Sequence, residues 1–230
     1  MTASTTGPRL QSPREELPRS LPNLELHHGE ALWVLARLGF QGGASNSTFS
    51  EYIKSLRKLG VPFERGKIGF ARRGLANYSY CHLMEVALAL TLRVYHVVPD
   101  AILAEIIRYR RVLYRDYTRA YAERRSGLGA PISVEVAGDL PITVRGVFLD
   151  LRIDFSGGTL TAFGPPKLLS PHEALSVFAE RDIAARALLP INLSSLSERL
   201  VSTALRAPRI RTGPRPGRKR RGSRSPSRTR

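Results

Sequence analysis

The apolar residues of this chain keep a helical period over residues 29–125 and a strand period after Pro131, and that change of period limits the fold more than any other feature. Ala31, Leu32, Val34, Leu35 and Leu38 recur at helical spacing over residues 30–40, and Gly42-Gly43 interrupts them. Ser45-Asn46-Ser47-Thr48 offers N-cap oxygens for a second helix. That helix runs to about Leu59 with Phe49, Ile53 and Leu56 inward, and Gly60 stops it. Gly66, Gly69 and Gly74 among Arg65, Lys67, Arg72 and Arg73 read as a short hairpin with a glycine-rich tip. Leu83, Val86, Ala87, Leu90 and Val94 predict a helix over 81–95, and one long helix is expected from Ala101 to about Arg125.

Beyond a linker at 127–131 the pattern turns to Val, Ile, Phe and Thr. Phe148, Asp150, Arg152 and Asp154 alternate with Leu149, Leu151, Ile153 and Phe155. Ser156-Gly157-Gly158 is expected to turn a hairpin, with Thr159–Phe163 returning. Gly164-Pro165-Pro166 should stop the sheet. Ser170-Pro171-His172-Glu173 reads as a capping box with proline in the first turn. Two short helices are expected after it, near 174–188 and 194–205. The fold class is therefore α+β. The expected organisation is a disordered leader at 1–23, a helical domain at 24–125, a small α+β domain with an antiparallel hairpin at 132–205, and a disordered tail at 206–230.

Charge follows this division. The net charge is +17, and residues 206–230 hold eleven Lys/Arg and no acid. Residues 45–75 hold seven basic residues against two acids, and residues 101–125 hold seven against three. Residues 126–205 are slightly acidic, with six basic residues against eight. Positive charge concentrated on one helix–turn–helix span and on a tail points to a polyanion, most often nucleic acid. A solvated basic face is the plainer reading of any such run.

The helix from Thr48 presents Tyr52, Lys54, Ser55, Arg57 and Lys58 outward, residue types that bond phosphates or base edges in a major groove. Arg65, Lys67, Arg72 and Arg73 would lie along the neighbouring backbone. In the tail, Arg215, Arg218, Lys219, Arg220, Arg221 and Arg224 would bind DNA or RNA without sequence preference, more weakly as salt rises. Ile102, Ile106, Tyr109 and Leu113 step at heptad spacing and form a candidate dimer seam; the same spacing serves a helix packed on its own domain.

Chemistry of other kinds finds little foothold. Cys81 is the single cysteine, which excludes an internal disulfide. The five histidines lack the i, i+4 spacing of a helical metal site, and no metal or cofactor is expected. Asp150 and Asp154, with Arg152 between them, read as a solvent-facing charge ladder rather than an acid–base pair. There is no Walker-type glycine loop and no nucleophile elbow, so no enzyme is expected. No apolar run reaches a membrane span and no secretory leader is visible, which fits a cytoplasmic, nucleoid-associated protein.

Tyr52-Ile53-Lys54-Ser55-Leu56-Arg57-Lys58-Leu59-Gly60-Val61 resembles the recognition helix of MerR-type regulators, where a Thr-Leu-Arg-Tyr-Tyr-Glu-like run ends at a Gly-Leu step. The resemblance spans about residues 29–125. It implies a winged helix-turn-helix in which Ile53 is the core residue, Lys54 a DNA contact and Gly60 the helix stop. The Arg- and Gly-rich loop would be the wing, closed by Tyr78. Leu83 would open the following helix, and the 100–125 helix would mediate dimerisation. The implied function is a homodimeric regulator on double-stranded DNA. The alternative is an RNA-binding or nucleic-acid-packaging protein that acts through its tail.

Overall fold

A computed structural model describes residues 21–63, 77–94, 100–126, 131–134, 142–156, 159–179 and 186–209. The helix α1 spans His28–Arg37 and buries Ala31, Val34 and Leu35. The His27 backbone N–H donates to the Glu30 carboxylate at 2.8 Å, which fixes the first turn. A turn from Leu38 to Ser45 follows. The Gln41 side chain spans it, donating to the Ala44 carbonyl at 2.7 Å.

Helix α2, Asn46–Leu59, matches its expected bounds and inner face, with Phe49, Ile53 and Leu56 buried. Ser45 caps it, its hydroxyl accepting from the Thr48 N–H at 3.2 Å. Gly60 ends it at φ 104°, a left-handed conformation that glycine adopts without Cβ strain. Helix α3, Tyr80–Val94, is buried all round through Leu83, Met84, Val86, Leu88 and Leu92. Each such side chain contributes about 1.5–3 kcal/mol relative to exposure, and α3 packs against three of the helices that follow it, the last of them Leu193–Ala204.

The expected long helix is two: α4, Asp100–Arg108, and α5, Arg110–Ser126. Helical hydrogen bonds still cross the break, from the Tyr109 N–H to Glu105 and from the Leu113 N–H to Tyr109. The dimer seam is corrected here. Ile106 and Leu113 are fully buried in the chain's own core, and Tyr109 packs against it. The heptad spacing is the stripe by which these helices cover α3. The side chain of Ile102 lies outside the described residues.

Strands β1 (Ile132–Val134) and β2 (Ile142–Val144) form an antiparallel pair. In the larger sheet β3, Phe148–Ser156, is central. It pairs antiparallel with β4 (Thr159–Phe163), in register Ser156 to Thr159 as the hairpin reading requires. The Gly164-Pro165-Pro166 stop is brief, because β5 (Lys167–Leu169) resumes on β3. Helix α6, Pro171–Ala179, starts at the predicted box, where the Ser170 N–H donates to Glu173 at 2.8 Å.

The helix expected at 174–188 is corrected. It ends at Ala179, and β6, Arg186–Asn192, pairs antiparallel with β3 from Asp154–Arg186 to Phe148–Asn192. Ala187, Leu188 and Leu189 suit either period, and the pairing edge of β3 decides. Pro190 lacks an N–H and is tolerated because β6 pairs on one side only among the described strands.

Asn192 then caps α7, Leu193–Ala204, accepting from the Ser195 N–H at 2.8 Å. Helix α7 joins the two expected segments in one apolar cluster. Leu193, Leu200, Val201 and Ala204 join one apolar core with α1, α3 and α5, as do Leu149, Leu151 and Ile191 of the sheet. The Tyr80 hydroxyl on α3 meets the Ser197 hydroxyl on α7 at 2.8 Å, both buried. Asp150 is buried as well, so the solvent-facing ladder is corrected at that position. The side chains of Arg152 and Asp154 lie outside the described residues.

Candidate nucleic-acid interface

The residues that face away from the core on α2 are Ser47, Glu51, Lys54, Ser55 and Lys58, flanked by Thr48 and Tyr52. All are exposed; Tyr52, at 37%, is an unusually exposed large aromatic. The Thr48 hydroxyl is drawn into the cap, 2.9 Å from the Ser45 hydroxyl. Lys54 reaches back to Glu51 at 2.6 Å, both well exposed. That lysine holds the Glu51 carboxyl below the usual range through a hydrogen bond and its charge. Exposed i, i+3 pairs contribute little to stability, so Lys54 stays available to an incoming phosphate. Glu51, which the sequence pattern did not single out, repels phosphate and can accept from a cytosine amino group.

Tyr78 is corrected as a DNA contact, whereas Arg57 stays partly exposed. Arg57 is half-buried on the flank of α2, its guanidinium 5.7 Å from the centroid of the Phe63 ring. Tyr78 is fully buried, and its hydroxyl lies 3.2 Å from His28 Nδ1. Its ring meets Phe63 edge-on at 5.2 Å, and its backbone exchanges hydrogen bonds with Leu26 at 2.7 and 3.1 Å. Burial raises the Tyr78 hydroxyl above its ordinary value. Burial, then the charges of Arg57 and Lys54, lower His28. Tyr78 therefore anchors the base of α2, where a buried aromatic with a bonded hydroxyl adds packing.

The principal anchor is one that the sequence pattern did not single out. Arg110, the first residue of α5, donates to Glu85 of α3 through Nη2 at 2.7 Å and through Nε at 3.0 and 3.1 Å. The same Nη2 donates to the Gly60 carbonyl at the end of α2. Glu85 is fully buried. Burial raises its carboxyl above the ordinary range even against the opposing pull of Arg110. One guanidinium thus ties the C-cap carbonyl of α2 to two core helices. The available signal was Glu85 itself, an acid inside an otherwise apolar helix, which requires a partner.

Around it, burial and the Glu85 charge push the Cys81 thiol up to about 11 and raise the Tyr114 hydroxyl. A thiol so raised is protonated at neutral pH and a poor nucleophile. Among the described residues no group of three His, Cys, Asp or Glu is placed to hold a metal, and no helix is long and apolar enough to cross a membrane.

Arg65, Lys67, Arg72 and Arg73 lie outside the described residues, as do Arg215, Arg218, Lys219, Arg220, Arg221 and Arg224. Comparison with protein-family models, curated proteins and solved structures finds no match for this chain.

Proposed function

We propose that the chain is a duplex-DNA-binding transcriptional regulator of MerR-like design, with α2 as the element that enters the major groove. Thr48, Tyr52, Lys54, Ser55 and Lys58 are its reading residues. The observation that carries this is the contrast between the two sides of α2. Its inner side is fixed at both ends, by the Ser45 cap and by Arg110 on the Gly60 carbonyl. Its outer side is polar, exposed and cationic at Lys54 and Lys58. A rigidly held helix with exposed polar side chains is what base readout needs, since misplaced donors lose discrimination. The basic loop and tail would add sequence-independent affinity and draw the protein to bulk DNA.

The test is selection of enriched sites from a random duplex pool at moderate salt, with unlabelled competitor to suppress the tail. Enrichment of a motif that is lost in Lys54→Ala/Lys58→Ala supports the reading. An inverted repeat would mean that two copies bind together. Binding without enrichment, equal on RNA and DNA and lost when residues 210–230 are removed, would refute it and favour tail-driven binding to any nucleic acid.

A further inference from the structure

A cleft of about 940 Å³ lies where the last turn of α5, the turn between β2 and β3 and the start of α7 meet. Small-molecule sites typically enclose roughly 300–1,000 Å³. The walls of this cleft are held by hydrogen bonds that cross between elements. The Ser194 hydroxyl accepts from the Val147 N–H at 3.0 Å and donates to the Glu123 carboxylate at 2.6 Å. The Asn192 amide donates to the Arg145 carbonyl at 3.2 Å. Gly146 sits at φ 97°, and a Cβ there would lie 2.8 Å from the Ser194 Cβ, so the turn closes onto α7 only as glycine. A site built this way exists before its ligand arrives, which lowers the ordering cost of binding.

The lining selects by charge. Glu123 is buried and lies in the last turn of α5, the helix end that favours cations. Ser194 and a further interaction within the chain engage part of its carboxylate. A carboxylate accepts at about four sites, so room remains for the N–H groups of a ligand. Glu198 follows Ser194 by one helical turn, on the same side of α7, and is exposed at the mouth of the cleft. Arg145 is the single cation among the described lining residues. An anion finds less here. The Leu193 N–H already donates to the Val147 carbonyl at 3.0 Å, and the Ser195 N–H to Asn192 at 2.8 Å, so the first turn of α7 has these donors engaged.

We propose that this cleft binds a small organic amine, a primary ammonium ion whose three N–H groups reach Glu123 at the floor and Glu198 at the mouth. The inference stands apart from the DNA-binding reading above and gives the chain a small-molecule site of its own.

The test is isothermal titration calorimetry of the full chain with putrescine and with propylamine at fixed ionic strength. Glucose and acetate, one neutral and one anionic, are the contrasting probes. A chain of net charge +17 repels small cations in general, so saturable one-to-one binding of an amine reports a local site. Glu198→Gln, at an exposed position, should weaken that binding about tenfold, the loss expected when a charged acceptor becomes neutral. Glu123→Gln should weaken it at least as much, and circular dichroism checks the fold of both variants. If Glu123→Gln fails to fold, Glu198→Gln decides. Lys54→Ala/Lys58→Ala should bind the amines as the wild type does. No saturable amine binding overturns the proposal, and so does binding that neither glutamate variant weakens. Tighter binding of glucose or acetate than of putrescine overturns the ligand class.

Discussion

Two acid–base pairs, one within α2 and one at its C-terminal end, have nearly the same length. Lys54 meets Glu51 at 2.6 Å, and Arg110 meets Glu85 at 2.7 Å. The first lies in water within one helix. The second is buried and joins three helices, because the same guanidinium also holds the Gly60 carbonyl. In high dielectric the first gains little and leaves its charges available to a ligand. The second has lost its hydration, so each partner depends on the other. Distance alone does not separate a structural contact from a functional one; burial and the number of elements joined do.

The largest expected effect breaks the buried pair. Arg110→Met should lower stability by about 3–5 kcal/mol, read by chemical denaturation, because Glu85 is left uncompensated. Arg110→Met/Glu85→Met should recover most of that loss; a double variant as unstable as the single would show that the pair is not the anchor. The pH dependence has a defined sign. Glu85 is raised in the folded state, so its contribution is complete below the ordinary carboxylate range and is lost as pH rises through the folded value. Loss of Arg110 should steepen that decline between mildly acidic and neutral pH, and Glu85→Gln should flatten it.

Leu113→Ala sharpens the contrast between core and interface. A fully buried leucine should cost about 2–5 kcal/mol on truncation, with the sedimenting mass of the protein unchanged. A change of mass with little loss of stability would reinstate the seam.

A smaller effect concerns the aromatic base under α2. His28 and His82 are both lowered by burial. Their contribution is present above the ordinary histidine value and is lost as pH falls from there through the lowered folded value, because the folded state resists protonation. The melting temperature should fall below about pH 6.5, and His28→Gln/His82→Gln should weaken that trend. The smallest expected effect on stability is Lys54→Ala, within about 0.5 kcal/mol by the same denaturation assay. The variant should nevertheless lose duplex affinity, and a variant that binds as the wild type does would remove Lys54 from the reading face.

Much of the helical half was legible. Phe49, Ile53 and Leu56 fall on one side of a helix at any tertiary arrangement, and Ser45 and Gly60 mark its ends by local chemistry. The hairpin at 156–159 was legible for the same reason. The dimer seam was misread because Ile106 and Leu113 have a spacing that any buried helix face shares. The 186–192 segment was misread because Leu188 and Leu189 fit a helix until β3 offers unpaired backbone. Tyr78 looked like a surface contact because a polar side chain gives no sign of which neighbour will bury it.

By itself the sequence determined the α+β class, helix α2 with its cap and stop, and the concentration of cationic charge on particular segments. These follow from short-range periodicity and from residue chemistry within a few positions. Only the tertiary structure decided that α7 returns to share a core with α1, α3 and α5, that Arg110 and Glu85 lock the end of α2, and that α5 buries Asp116 and Glu123 while Arg111 and Arg115 stay exposed. Those outcomes depend on which distant surfaces meet and lose their water, and no local pattern encodes that.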